Sequence, residues 1–179
     1  MAAPSDEQLM LALRDGQLSA FEALFRRHYE TMRALCTRMA ATSDGGDDLA
    51  QETFLRILRY RATFRGDARF TTWAYRIARN VCLEQVARTS RERRVAESWA
   101  AEGGETVTSP TGRGDEIAQL EAAMQALSPE HREVLVLCRY HGLPFTEIGE
   151  ILGCTAGAAR VRAHRALLAL RANYLALEA

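Results

Sequence analysis

Lysine is missing from this 179-residue chain, and all 23 of its basic residues are arginine. Arginine's planar fork suits paired contacts to phosphate and guanine, but so complete an absence of lysine is assigned to coding bias rather than to selection for such contacts. Cysteine is sparse. Cys36, Cys82, Cys138 and Cys154 lie far apart, form no C-x-x-C pair and keep no ligand spacing with His28, His131, His141 or His164. That spacing argues against a disulfide framework or a metal site and for buried free thiols in a reducing compartment. No apolar run approaches the roughly 18 residues that suggest a membrane-crossing helix. The opening MAAPSDEQ has no charged-then-apolar leader. A soluble cytoplasmic protein without membrane insertion is expected. No nucleophile–base pair and no phosphate-cradling glycine loop is present, so neither an enzyme nor a bound cofactor is expected. No stretch alternates with a period of two residues, which predicts an absence of strands.

Net charge is also absent, since 23 basic residues balance 23 acids. The balance hides a segregation. Residues 1–53 hold five arginines against nine acids, residues 54–94 eleven against three, residues 95–150 three against ten, and residues 151–179 four against one. Acidic and basic stretches therefore alternate along the chain, which implies two separate anionic contacts and at least one basic partner. Hydrophobic residues make up 47% of the chain, enough for a packed core.

Phe21, Leu24, Phe25, His28, Tyr29, Met32, Leu35, Cys36 and Met39 recur at helical spacing and predict an amphipathic helix. Ser43-Asp44-Gly45-Gly46 breaks it. A second helix, begun by Asp47 or Asp48, turns Ala50, Phe54, Ile57 and Leu58 inward and leaves Asp48, Gln51, Glu52, Leu55 and Arg59 outside. Arg65-Gly66-Asp67 marks a loop. From Thr71 or Thr72 a third helix buries Phe70, Trp73, Ala74, Ile77 and Val81, while Arg76, Arg79, Asn80 and Leu83 form its other stripe. Residues 98–115 lose all periodicity and gather Gly, Ser, Thr, Pro and Glu, the composition of a flexible, slightly acidic linker. Helices resume with Ile117, Leu120, Met124 and Leu127. Ser128-Pro129-Glu130 then supplies a capping serine, a proline at the first helical position and an acid in the first turn. Val134, Leu135 and Cys138 fill the inner face of that helix, and Gly142 ends it. The fold expected is all-α, with a helical unit over 1–94, a linker over 95–115 and a second helical unit over 116–179.

The end of the chain reads as a helix-turn-helix. Phe145, Ile148, Ile151 and Leu152 share the inner side of a short helix, and Gly149 leaves room for a second helix to approach. Gly153 stands where a left-handed backbone closes the first helix, and Thr155 can cap the next, which runs to about Leu170. That second helix carries Arg160, Arg162, His164 and Arg165 and no acid before Glu178, the arrangement that presents a basic helix to a DNA groove.

Four stretches, in this order, resemble the sigma-70 family and within it the extracytoplasmic-function (ECF) sigma factors. AFEALFRRHYETMRAL (20–35) looks like the first helix of sigma region 2. DDLAQETFLRILR (47–59) is similar to that region's polymerase-binding segment, and FRGDARFTTWAYRIARNVCLEQVAR (64–88) to its promoter-melting and −10-reading segment. LSPEHREVLVLCRYHGLPFTEIGEILGCTAGAARVRAHRAL (127–167) resembles region 4. The resemblance implies a protein that binds core RNA polymerase, directs it to promoters and helps open the DNA. No third sigma domain is expected between the two units, and no extended N-terminal domain before them.

By the same resemblance, Asp47, Asp48, Gln51, Glu52, Phe54 and Leu55 would dock on the β′ clamp helices, and the β flap is a second expected polymerase contact. Promoter opening needs aromatic pockets and cations for unstacked bases and their phosphates. Arg61, Phe64, Arg65, Arg69, Trp73, Tyr75, Arg76, Arg79 and Asn80 are the candidates at the −10 element, with Trp73 also fitting a core position. Thr155, Arg160, Val161, Arg162, His164 and Arg165 are the candidates at the −35 element. Ala158, Ala159 and Ala163 depart from the family pattern, which usually has Thr, Val and a larger aliphatic there. The linker acids Glu97, Glu102, Glu105 and Asp115 could mimic RNA phosphates on the path to the polymerase active site. An anti-sigma factor is the implied regulator, since the arginine surfaces must be covered when the protein is silent. Two alternatives remain open from the residues: a sigma-like decoy that binds a regulator but not DNA, and a conventional helix-turn-helix regulator that acts without joining polymerase.

Overall fold

The computed structural model describes residues 3–40, 45–99 and 113–177. Eight α-helices follow one another without a strand among the described residues: α1 (Asp6–Arg14), α2 (Leu18–Ala40), α3 (Gly46–Tyr60), α4 (Phe70–Trp99), α5 (Arg113–Gln125), α6 (Pro129–Leu135), α7 (Phe145–Leu152) and α8 (Ala156–Leu177). A 3-10 turn follows α3 at Arg61–Thr63, and a π-helical turn extends α6 over Val136–Tyr140.

Helices α1 to α4 form the first unit. The opening helix α1 was not foreseen from periodicity. Its start is fixed by a reciprocal cap, in which Gln8 N donates to Ser5 Oγ at 3.2 Å and Ser5 N donates to Gln8 Oε1 at 2.9 Å. Leu9, Met10 and Leu13 bury its inner side. Its acids tie it to the neighbouring helices. Asp6 holds Arg27 and His28 of α2, each at 2.8 Å, while Phe70 N at the start of α4 donates to Glu7 Oε1 at 3.0 Å. That backbone donor is the chief reason the Glu7 carboxyl lies below its usual range. The rings of Phe21, Phe25 and Tyr29 gather around Phe54, with centroids 4.8 to 6.2 Å from it, so α2 and α3 lock through an aromatic cluster.

Helix α4 continues to Trp99, beyond the point where a linker was expected to begin. Its later turns are rich in Arg, Glu and Ala, good helix formers that also pair along the surface, as Arg88 does with Glu92 at 3.8 Å. A helix that is polar all round carries no apolar period, so its sequence resembles that of a linker. Arg113–Asp115 likewise belong to α5. Glu102 and Glu105, two of the acids expected along the linker, lie outside the described residues, as do the side chains of Glu97 and Asp115.

Helices α5 to α8 form the second unit. Ser128 Oγ accepts from His131 N at 3.3 Å and Pro129 opens α6, as its sequence requires. Between α7 and α8, Gly153 adopts φ +69° and Cys154 N donates to Gly149 O at 2.8 Å. A Cβ on Gly149 would stand 2.6 Å from Cys154 O, so only glycine permits this turn without displacing the backbone. Thr155 Oγ1 caps α8 by accepting from Ala158 N at 3.1 Å. Of the three alanines that depart from the family pattern, Ala158 is exposed and the other two have a structural role. Ala159 and Ala163, with Ala166, form the buried stripe of α8, and their small side chains let it pack closely on α6 and α7. The helix also extends past Leu170 to Leu177.

The units pack against each other, α4 on α7 and α2 on α6, and one apolar core runs through both.

Candidate nucleic-acid interface

The first surface lies on α3. Asp47 and Asp48 occupy its opening turn, where the helix dipole favours acids. Asp48, Gln51 and Leu55 are exposed, Leu55 at 61%. Asp47 Oδ1 accepts from Tyr29 OH at 2.8 Å, a bond that raises the Tyr29 hydroxyl above its ordinary pKa. Arg56 joins Glu52 at 2.7 Å and grips both oxygens of Glu84 on α4 at 2.8 and 2.7 Å, which holds the Glu84 carboxyl low. A groove of about 810 Å³ runs between α3 and α4, lined by Asp48, Glu52, Arg56 and Glu84 among others. Phe54 is 1% exposed and supports this surface from beneath.

The second surface is a cleft of about 790 Å³ lined by Phe64, Arg65, Arg69, Trp73, Arg76 and Asn80. Glu147 and Glu150 of α7 line the same cleft. Phe64 is buried and meets Trp73 edge-on at 5.5 Å, forming the floor. Arg61 turns back to donate to Leu58 O at 2.8 Å, closing the end of α3. Arg76 and Asn80 are exposed, whereas Tyr75 is buried under the second unit, with its hydroxyl 3.3 Å from His141 Nδ1. The stripe foreseen on α4 is therefore divided. Arg76 and Asn80 face outward, while Arg79 makes a two-pronged bond to Glu133 of α6, Nε to Oε2 at 2.7 Å and NH2 to Oε1 at 3.2 Å.

The third surface is on α8. Arg160, Val161, His164 and Arg165 are exposed along the helix, and the Arg160 guanidinium lies 5.5 Å from the centre of the Phe145 ring. Arg162 points elsewhere, toward Glu133 at 3.7 Å. The candidates on α8 thus split into an outward set and one inward arginine.

Sequence reasoning missed the residues that join the units. Glu133 is 2% exposed and lies between Arg79 and Arg162, one from each unit. Arg69 pairs with Glu147 at 2.5 Å, and Thr72 Oγ1 reaches the other oxygen of that carboxylate. Arg132, also buried, donates to Met124 O, Gln125 O and Leu127 O at the end of α5 and to Met39 O near the end of α2. A cation surrounded by the carbonyls of helix C-termini is favourably placed. One signal could have flagged Glu133. The run Val134-Leu135-Val136-Leu137 is apolar all round the helix, which implies burial on every side and a need for a partner beside it.

Residues 24–92 match Sigma-70 region 2, and residues 117–170 match Sigma-70, region 4. The RNA polymerase sigma factor CarQ of Myxococcus xanthus is 34% identical over 166 residues, covering 90% of this chain and 93% of its own length. The ECF RNA polymerase sigma factor SigE of Mycolicibacterium smegmatis is 33% identical over 185 residues, covering 97% of this chain and 70% of its own. The solved structure of CnrH, in complex with the cytosolic domain of CnrY, matches with a TM-score of 0.70 at 26% identity, over 94% of this chain and 96% of that one.

Proposed function

The chain belongs to the extracytoplasmic-function sigma factors of the sigma-70 family, and from that premise we propose how its three surfaces divide the work of initiation. The acid-rimmed face of α3, with Asp47, Asp48, Gln51, Glu52 and Leu55 over Phe54, docks on the β′ clamp helices. The cleft beside α4 receives the −10 element as it opens. Arg65, Arg69, Arg76 and Arg79 meet phosphate, Asn80 meets a base edge, and Phe64 and Trp73 provide an apolar floor for an unstacked base. The outward face of α8 enters the major groove at the −35 element, where Arg160 and Arg165 can pair with guanine. The β flap is the contact proposed for the second unit. On this reading the working units are residues 1–94 and 116–179, joined through 95–115. The chain performs no chemistry itself, works in the cytoplasm and is held silent by an anti-sigma factor.

The observation that carries this reading is the exposed set Arg160, Val161, His164 and Arg165 on a helix aimed outward by a glycine turn, in one chain with the α4 cleft and the acidic α3 face. Run-off transcription with purified core polymerase on genomic promoter fragments tests it. Discrete transcripts that require the chain are expected. Binding to DNA without any gain in transcription would favour a conventional regulator instead.

A further inference from the structure

The opening helix α1 belongs to none of the three surfaces, yet two of its faces are in use. Leu9, Met10 and Leu13 bury one of them in the core. Glu7, Leu11 and Arg14 recur at i, i+4 and i+7 and share another. That second stripe runs along the loop 64–69 and the first residue of α4. Arg14 NH1 donates to Phe64 O at 3.5 Å, where the loop starts. Midway, Gly66 turns with φ +79°, and a Cβ there would stand 3.4 Å from Leu11 Cδ2. At the far end Phe70 N donates to Glu7 Oε1 at 3.0 Å. We propose that Glu7, Leu11 and Arg14 are positioning residues for the −10 cleft, one stripe of α1 holding this loop in the shape that receives an unstacked base. The inference rests on the promoter role assigned to that cleft above.

The loop needs such support. Among the described residues, no backbone hydrogen bond joins two positions between Phe64 and Arg69. The start of α4 also lacks a cap from its own sequence. Arg69 is the N-cap residue, its carbonyl accepting from Trp73 N at 3.2 Å, and a guanidinium has no acceptor to offer the free amides of the first turn. Glu7 caps the helix instead, from 63 residues away, and its carboxylate suits the positive end of the helix dipole. Asp6 fixes the same corner through side chains. It holds His28 at 2.8 Å, and the His28 ring packs on the Phe70 ring with centroids 5.1 Å apart. Phe70 in turn lies 6.4 Å from Trp73, which forms the cleft floor with Phe64. The rim and the floor of the cleft are therefore both braced from α1. A loop ordered in advance loses little further freedom when DNA binds, so the brace raises affinity for the opened strand without touching it.

The test uses holoenzyme on a promoter found by run-off transcription. Reactivity of unpaired thymines to permanganate reads opening at the −10 element. Binding to a −35 duplex reads the second unit, and co-purification reads core capture. Glu7→Ala is expected to lower opening about fivefold, the factor typical of a lost helix cap, with −35 binding and core capture unchanged. Glu7→Gln, whose amide oxygen still accepts from Phe70 N, should recover most of that loss. Wild-type opening in Glu7→Ala overturns the proposal, as does opening in Glu7→Gln no better than in Glu7→Ala. A loss shared in proportion by all three readouts overturns it too, since general destabilisation would give that result. Should Glu7→Ala fail to fold, the exposed Arg14 decides: Arg14→Ala should lower opening about threefold, as for one lost hydrogen bond, and unchanged opening overturns the proposal. Arg76→Ala, in the cleft itself, separates the two readings. Normal opening in that variant removes the cleft's promoter role and this inference with it. Impaired opening there beside normal opening in Glu7→Ala removes the inference alone.

Discussion

Helices α4 and α8 both present arginines, yet their arginines have different neighbours. On α4 and the loop before it, Arg69 and Arg79 are bound to carboxylates of the second unit. On α8, Arg160 and Arg165 face solvent, and among the described residues Arg162 alone turns toward an acid. On the proposed reading, the first set lies in a cleft that the chain's own Glu147 and Glu150 also line, and the second on an exposed helix face. Base capture requires a concave site with apolar walls, and such a site can be filled by the chain's own acids. Groove reading requires a protruding helix, which is hard to cover from within.

The sharpest way to break the comparison is on α8. Arg160→Ala with Arg165→Ala is expected to lower −35-dependent initiation by on the order of 100-fold or more, since each guanine pair contributes about 1–3 kcal/mol of discrimination. Core polymerase should still co-purify with the variant. Unchanged promoter choice in run-off assays would remove the assignment of this face.

Next comes the contrast between two arginines one turn apart. Arg79→Ala leaves Glu133 buried without its main partner, which costs no more than about 3–5 kcal/mol because opening lets the carboxylate rehydrate. Arg76→Ala removes an exposed side chain with no ion pair among the described residues and should change stability by less than about 0.5 kcal/mol. Thermal unfolding of the two variants measures the difference. Equal melting temperatures would show that the Glu133 bond contributes nothing in solution.

The apolar periodicity of α2, α3 and the first turns of α4 was legible because each buries one stripe, and a stripe leaves a period in the sequence. The cap of α6 and the glycine turn before α8 were legible because their chemistry is local: Ser128, Pro129, Gly149 and Gly153 need no distant partner to act. Helix α1 was overlooked although Ser5 and Gln8 spell its cap, since three buried side chains make too short a pattern to notice. The far end of α4 was misjudged for the opposite reason, being helical without any apolar face. Residue type was the weaker guide within the candidate site. Phe54, Phe64 and Tyr75 have the rings that base or partner contacts call for, but each is almost wholly buried. Glu133 and Glu147 could not be assigned in advance, because their partners lie 54 and 78 residues away. Docking of two units creates such pairs, and no local pattern records them.

A third prediction isolates geometry from charge. Gly149→Ala leaves every arginine in place but drives a Cβ to 2.6 Å from Cys154 O, forcing the α7–α8 turn to shift. A loss of about 1–3 kcal/mol in stability is expected, together with weaker −35 binding. Denaturant unfolding and anisotropy on a −35 duplex measure the two effects. Full −35 affinity in a destabilised variant would show that the turn holds the fold without aiming α8.

The smallest effect expected is a pH dependence, set by His141, of the packing of the second unit on the first, which is the closure of the chain. Its ring lies on Tyr75 of α4, with Nδ1 at 3.3 Å from the hydroxyl, and Nε2 is buried without a hydrogen-bond partner among the described residues. Burial is the main cause of its lowered pKa, and the charge of Arg38 on α2 adds to it. Protonation would make both ring nitrogens donors, leaving Nε2 with no acceptor and a second cation near Arg38. The sign follows from which state binds the proton more readily. In the open chain the ring is hydrated and titrates near its ordinary value of about 6.5. Above that value the histidine is neutral in both states and closure is at full strength. As pH falls from 6.5 toward the lowered value of the closed state, the open form gains the proton first and closure weakens, by at most about 1.4 kcal/mol per pH unit for one group. Between pH 7 and 5 the scattering radius of wild type should therefore grow more than that of His141→Phe. Parallel curves for the two proteins would assign the change to another group.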